Sequence, residues 1–163
     1  MSRVDVTEIE VVTAILARLR SQLKLSENQC WFTTDPSIIP DLPPGGEYFA
    51  TVAIGDGQFP DGEQIAGNIT EDTSIGVTIY SRMRLDRTDK DIALLAKKDN
   101  GLFALKKKVL TALVGHDLTN GDGDNFLRQW LHALDCTRPV YDKQKAVGYL
   151  TIAFGVSFDW ELT

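Results

Sequence analysis

The chain has 163 residues, of which 43% are hydrophobic and 25% are charged, and its net charge at pH 7 is −6. This composition is typical of a folded domain and excludes disordered and fibrous chains. A chain of this length buries about 70% of its unfolded surface, so one domain over residues 1–163 needs no disulfide or metal to form its core. The acidic balance argues against a protein that grips nucleic acid by neutralising phosphates.

The sequence carries no signal of secretion or of membrane insertion. Cys30 and Cys136 form no CxxC pair, and no charged segment with a following apolar run opens the chain. We therefore expect a reducing cytosolic setting. No run approaches the roughly 18 apolar residues of a membrane span, so no membrane partner is expected.

Acidic and basic residues are unevenly distributed along the chain. Residues 25–81 contain nine acidic residues and no Lys or Arg, whereas residues 82–108 carry nine basic residues against four acidic ones. Two interpretations are open. Both segments form ordinary solvated surfaces, or the acidic face of one copy contacts the basic face of the next.

The opening segment predicts an amphipathic helix followed by an extended loop. Apolar residues recur at three- and four-residue steps over 6–24, and Thr7 and Glu10 have the spacing of a capping box. The loop covers 35–46, where four prolines forbid both a helix interior and a central strand. The apolar positions of the predicted helix are Ile9, Val12, Leu16, Leu19 and Leu23.

Two strands and a long loop are predicted next. Alternating side chains over 48–54 indicate a strand, and the alternation returns over 75–80. Between them, the glycine-rich and acidic segment 55–70 has the composition of a long mobile loop.

The second half predicts helices and then a hairpin. Helical periodicity extends over 89–115, and a short apolar helix is predicted over 125–134. Strict alternation over 150–160 predicts a strand that is on the order of 45 Å long if it runs over 147–160, with 138–142 pairing to its start. We predict an α+β fold whose mixed or antiparallel sheet of about four strands is flanked by an N-terminal and a central helix, with a long C-terminal hairpin at 138–160.

Familiar motifs of catalysis and ligand binding are incomplete. Gly55 and Gly57 fill two positions of a dinucleotide fingerprint, but Pro60 holds the third and no helix is predicted after it. The oxygen-rich run 120–124 lacks the closing glutamate of a calcium loop, because Leu131 occupies that position. Neither histidine lies in a metal-binding or protease motif. We expect no catalytic residue, cofactor or metal site.

The order of these elements resembles the tail terminator, or tail completion, proteins of long-tailed bacteriophages. The resemblance covers most of the chain and rests on pattern and order rather than on an invariant motif. The long acidic loop and the short helix at 125–134 depart from the shortest members of that family. The matching segments are VTEIEVVTAILARLRSQL, EYFATVAI, SIGVTIYSR, DIALLAKKDNGLFALKKKVLTAL with VGHDL, and GYLTIAFGVSFDWEL.

The resemblance implies a virion protein of the tail or neck, assembled in the host cytoplasm. Such a protein forms a ring, usually of six copies, at the head-proximal end of the tail tube. It ends tube growth and joins the tail to the head connector or stopper protein. DNA passes through the channel of the ring, and the excess of negative charge suits passage without specific binding.

Interface residues follow from this reading as hypotheses. Phe59 and Ile65 are apolar residues in an otherwise polar loop, and we predict that they anchor contact with the tube or with a neighbouring copy. Residues predicted to share the subunit or tube interface are Asp56, Asp61, Tyr149 and Thr151.

Other functions remain open at the level of sequence. Another neck protein, either a head-to-tail connector or a stopper, is the first alternative, and a tail-tube-like subunit is a further one. A small hydrolase that uses acidic loop residues is the alternative from a different class.

Overall fold

The computed structural model describes residues 3–42, 44, 46–60, 68–82, 101–116, 118 and 131–161. Within these residues, two helices pack on one face of a six-stranded mixed sheet, in agreement with the predicted α+β class. The helices are α1 (Arg3–Leu23) and α2 (Leu102–Leu113). The strands are β1 (Cys30–Phe32), β2 (Tyr48–Gln58), β3 (Asn68–Arg82), β4 (His132–Cys136), β5 (Val140–Asp142) and β6 (Val147–Glu161).

Strands β3 and β6 form the centre of the sheet. The strand order is β1-β2-β3-β6-β4, and β5 also pairs with β6. Strand β1 is parallel to β2, whereas the other pairs are antiparallel. Strand β6 pairs with β3 along its whole length, so the predicted long strand is confirmed but lies inside the sheet. Strand β5 pairs with the start of β6 at three positions, as predicted for the segment 138–142.

The core lies between the two helices and one face of the sheet. Alternation directs Ile75, Val77 and Ile79 of β3 toward the helices, together with Ile152 and Phe154 of β6, and all five side chains are at most 1% exposed. Each such side chain contributes about 1.5–3 kcal/mol through its removal from water. The helices contribute Val11, Val12, Ile15, Leu16, Leu19, Leu23, Leu102, Leu105, Val109, Ala112 and Leu113 to this core.

Helix α1 is longer than predicted, and its buried stripe is rotated. It begins at Arg3, so Thr7 lies inside the helix and is not its N-cap. Ile9 is 54% exposed, contrary to the predicted stripe. Val11 and Ile15 are buried on the other flank, and this shift leaves Ile9 at the margin of the apolar face.

The predicted loop at 55–70 is wrong at both ends. Strand β2 continues to Gln58, and β3 begins at Asn68. The register of these strands shifts between Ile54 and Gly57, which is a β-bulge. A Cβ atom on Gly57 would overlap the Glu71 carboxylate, so this glycine marks a close approach within a strand and not a loop.

The predicted short helix at 125–134 is wrong where the structure describes it. His132 to Cys136 form β4, so Leu134 lies in a strand, whereas 125–130 fall outside the described residues. Periodicity does not separate a short apolar helix from a strand. Pairing with β6 decides in favour of the strand.

Helix α2 is joined to α1 at its C-terminal end. Val114 caps the helix and Gly115 follows with φ of 75°, a conformation in which glycine is favoured. The Arg18 Nη2 atom lies 3.0 Å from each ring nitrogen of His116, and Arg18 Nε donates to the carbonyl of Ala112. His116 therefore has a structural contact. The predicted beginning of this helix near residue 89 falls outside the described residues, and no helix among those described is long and apolar enough to cross a membrane.

Candidate assembly surfaces

The β1 edge of the sheet is covered by the chain itself at Cys30. The Cys30 carbonyl accepts hydrogen bonds from Arg20 Nε at 3.0 Å and from Arg20 Nη2 at 2.7 Å. The Cys30 amide donates to the carbonyl of Ser26. These groups point away from β2 and are already hydrogen-bonded, so they are not available to pair with a further strand.

The opposite edge is open in the described part of the chain, where β4 and β5 have no strand on their outer side. The side chains of His132 to Asp135 are exposed. Leu134 is the extra residue of a bulge between Ala133 and Asp135 and is 54% exposed, and Val140 of β5 is 38% exposed. Among the described residues, this edge has no further strand and carries exposed apolar side chains, and these two features allow strand addition.

A polar groove of about 380 Å³ lies near the end of the sheet that contains the β2 bulge. Asp72 and Ser157 form a cross-strand pair on the face away from the helices, and His132 covers Gly155 beside them. Asp56 and Gln58 extend the rim from β2. The remaining lining residues are Thr73, Ser74, Leu134 and Val156.

Among the described residues that line the groove, no hydrogen bond joins His132 to Ser74, to Ser157 or to either carboxylate. No three His, Cys, Asp or Glu side chains among the described residues are placed to hold a metal ion. What the groove offers is a negatively charged, hydrogen-bonding surface.

The outer surface of α2 carries apolar and basic side chains together. Phe103 is 53% exposed and Val114 is 43% exposed. Lys107 and Thr111 are exposed between them at helical spacing, so the four side chains share one face. We call this surface the α2 stripe; it is defined by Phe103, Lys107, Thr111 and Val114.

The sequence-predicted interface residues separate into two groups. Asp56 lies in the bulge of β2 on the rim of the groove, and Phe59 follows that strand with its ring 51% exposed. Both therefore lie at one end of the sheet. Asp61 and Ile65 fall outside the described residues.

Tyr149 and Thr151 lie nearer the other end of the sheet, on the face away from the helices. The Tyr149 ring is 5.7 Å from the ring of Tyr80. The Thr151 Oγ1 atom lies 2.7 Å from Thr78 Oγ1, and the Thr151 amide donates to Thr137 Oγ1 at 2.9 Å. Both side chains are half-buried, and burial raises the pKa of the adjacent Tyr80 hydroxyl.

Sequence reasoning missed the β4 part of the β4–β5 edge and the α2 stripe. The sequence pattern predicts Leu134 in an apolar helix. Its exposure results from a bulge that no sequence pattern predicts. The exposure of Phe103 and Val114 is easier to predict from the sequence, because they lie off the apolar stripe of a predicted helix. Helical phase within 101–114 is the signal that could have found them.

Comparison with solved structures shows a similar fold in a chain from "Virion of native gene transfer agent (GTA) particle". The TM-score is 0.54, the sequence identity is 14%, and the match covers 93% of this chain and 96% of that chain. No protein-family model matches the sequence, and a search of curated proteins also finds no match. At this identity the likeness shows the fold alone.

Proposed function

We propose that this chain is a structural protein of a phage-like virion rather than an enzyme. The observation that carries the proposal is the fold shared, over nearly the whole of both chains, with a chain of a gene transfer agent virion. One fold can serve many functions, so the fold raises the expectation while the surfaces must specify the role.

Within this class we propose the role of tail terminator. The order of helices and strands along the sequence resembles that family, and the described edge at β4–β5 supplies a surface for contact with other proteins. In this role the chain forms a ring, with six copies expected, at the head-proximal end of the tail tube. The partners are other copies of the chain, the tube protein and the head-to-tail connector or stopper, and the location is the tail or neck of the virion.

The interface residues proposed for this role are those named from the sequence. Asp56 and Phe59 lie together at the bulged end of the sheet, where they are exposed. Asp61 and Ile65 follow Phe59 in the sequence. Tyr149 and Thr151 are half-buried, so we expect their contacts to require close packing of a neighbour against the sheet.

Electron microscopy of lysates from the genome of origin with this gene deleted tests the role. The expected result is overlong tails that lie apart from filled heads, because tube growth then lacks its stop. Tails of normal length beside heads that leak DNA would instead assign the chain to the connector or stopper. Intact infectious particles would remove the virion role altogether, and complementation by the wild-type gene is the control.

A further inference from the structure

We propose that the α2 stripe of one copy docks on the acidic end of the sheet of the next copy, a contact that rests on the proposed ring. The acidic sheet end is defined by Asp56, Asp72 and Asp159.

The α2 stripe carries exposed apolar and charged side chains of the kind that a protein partner covers. Two large apolar side chains, Phe103 and Val114, are about half exposed although α2 buries its opposite face in the core. Lys107 lies between them, and none of the ion pairs of the described residues includes it. Exposed apolar groups around a cation favour a partner that covers the apolar groups and supplies negative charge.

The acidic sheet end supplies that charge. Asp72 is exposed on the face away from the helices, and Asp56 shares the groove with it. Asp159 lies two residues beyond the groove residue Ser157 on the same face of β6. Leu134, which is 54% exposed, also lines the groove and offers apolar surface to a ring such as that of Phe103.

The positions of the two surfaces require that the contact be made between copies. Helix α2 packs on the face formed by Ile75, Val77 and Phe154, whereas Asp72 points from the other face. The α2 stripe of one copy therefore does not contact the acidic sheet end of the same copy. Because the two surfaces differ, the contact is head-to-tail, and such contacts close into a ring when the rotation between copies allows it.

Charge reversal tests the contact. The variants are Lys107→Glu, Asp72→Lys, the double variant that carries both changes, and an equimolar mixture of the two single variants. Oligomer mass is measured by native mass spectrometry and sedimentation velocity, with the chain alone at low salt and with purified tail tubes. Lys143→Glu, which reverses an exposed cation in the β5–β6 turn, is the matched control.

We expect each single variant to lose at least tenfold in assembly, whereas the double variant and the mixture regain it. In the mixture, the glutamate introduced in one variant faces the lysine introduced in the other, and the unaltered Lys107 and Asp72 meet at the next contact. Alternating copies therefore restore every contact of an even-membered ring. Thermal unfolding should be unchanged because both side chains are exposed.

Two outcomes overturn the inference, and they are distinguishable. If Lys107→Glu and Asp72→Lys assemble as the wild type does, the stripe and the sheet end are not partners, while the proposed ring survives. If the wild-type chain forms nothing larger than a dimer at low salt and on purified tubes, the inference and the proposed ring both fail.

Discussion

The guanidinium of Arg20 holds the carbonyl of Cys30 with two hydrogen bonds, of 3.0 and 2.7 Å. Arg20 lies in the last turn of α1 and Cys30 opens β1, so the contact ties the first helix to the edge of the sheet. A charged donor on an outward carbonyl also removes that carbonyl from strand addition.

Replacing Arg20 with Met should destabilise the fold and unmask the edge. A buried carbonyl without its donor costs about 1–3 kcal/mol, which corresponds to a fall in melting temperature of roughly 2–12 °C for a chain of this length. Urea unfolding measures the first effect and size-exclusion chromatography detects new self-association. The control is Arg138→Met, which changes an exposed arginine. Equal stability of the two variants would contradict the role given to Arg20.

Trp160 and Glu71 form a buried polar pair on the helix-facing side of the sheet. The indole Nε1 atom donates to Glu71 Oε2 at 2.7 Å, and the two residues are 3% and 8% exposed. Trp160→Phe removes the donor, so we expect a loss of about 1–3 kcal/mol in the free energy of unfolding.

A double-mutant cycle separates that hydrogen bond from packing. In the Glu71→Leu background, Trp160→Phe should cost at least about 0.5 kcal/mol less than in the wild type, because no carboxylate is left unpaired. Trp31→Phe, at a half-buried indole, is the control for ring size. Additive effects of the two changes would show that the hydrogen bond contributes nothing.

Cys30 predicts a loss of stability at high pH. Burial raises the pKa of its thiol from 9.0 to about 11, and the nearby Arg20 charge opposes this rise. Above pH 9 the unfolded chain releases the thiol proton while the folded chain retains it, so stability is full below pH 9 and falls as pH rises toward 11. The fall reaches about 2–3 kcal/mol because each pH unit is worth about 1.4 kcal/mol.

Urea unfolding between pH 8 and about 10.5 measures this effect by comparison with Cys30→Ala. The variant should be less stable near pH 8 because of its cavity, and its deficit should shrink steadily above about pH 9. Other groups that titrate there, Tyr80 among them, cancel in the comparison. A constant deficit across this range would contradict the prediction.

Gly155 of β6 lies directly opposite His132 of β4, and the imidazole ring covers the glycine. A Cβ atom on Gly155 would overlap the imidazole ring of His132, and because this side chain is exposed and can move away, Gly155→Ala should cost about 1 kcal/mol. The second change His132→Ala should recover most of that loss. The matched control is Gly76→Ala, whose Cβ would lie 3.6 Å from Thr151 Cγ2 and should change stability by less than about 1 kcal/mol.

Phe59 should matter for assembly more than for folding. Its ring is 51% exposed, so the double variant Phe59→Ser with Ile65→Ser should change the melting temperature little while weakening assembly on tail tubes. Ile38→Ser removes another exposed apolar side chain, 64% exposed, and serves as the control. A large drop in melting temperature would place the pair in the core, and unchanged assembly would remove them from the interface.

The sequence determined those elements whose pattern is local. Period-two alternation from Leu150 to Trp160 and the apolar spacing of Val12, Leu16 and Leu19 are properties of neighbouring residues, and both predicted elements are present. The α+β class follows from the same periodicities. In these elements, burial and exposure of the side chains alternate with the period of the helix or strand.

The tertiary structure decided the local structure at those positions where local composition and long-range pairing disagree. Gly55 and Gly57 have loop composition but lie in β2, because β3 supplies the hydrogen bonds and fills the space that a Cβ would occupy. Leu134 belongs to an apolar run, yet pairing with β6 and a bulge make it an exposed edge residue. Contacts far apart in sequence outweigh weak local preferences, because β propensity depends on the neighbouring strand. Tertiary contacts also decided that Cys30 is covered at one edge and that β4 has no further strand beside it among the described residues.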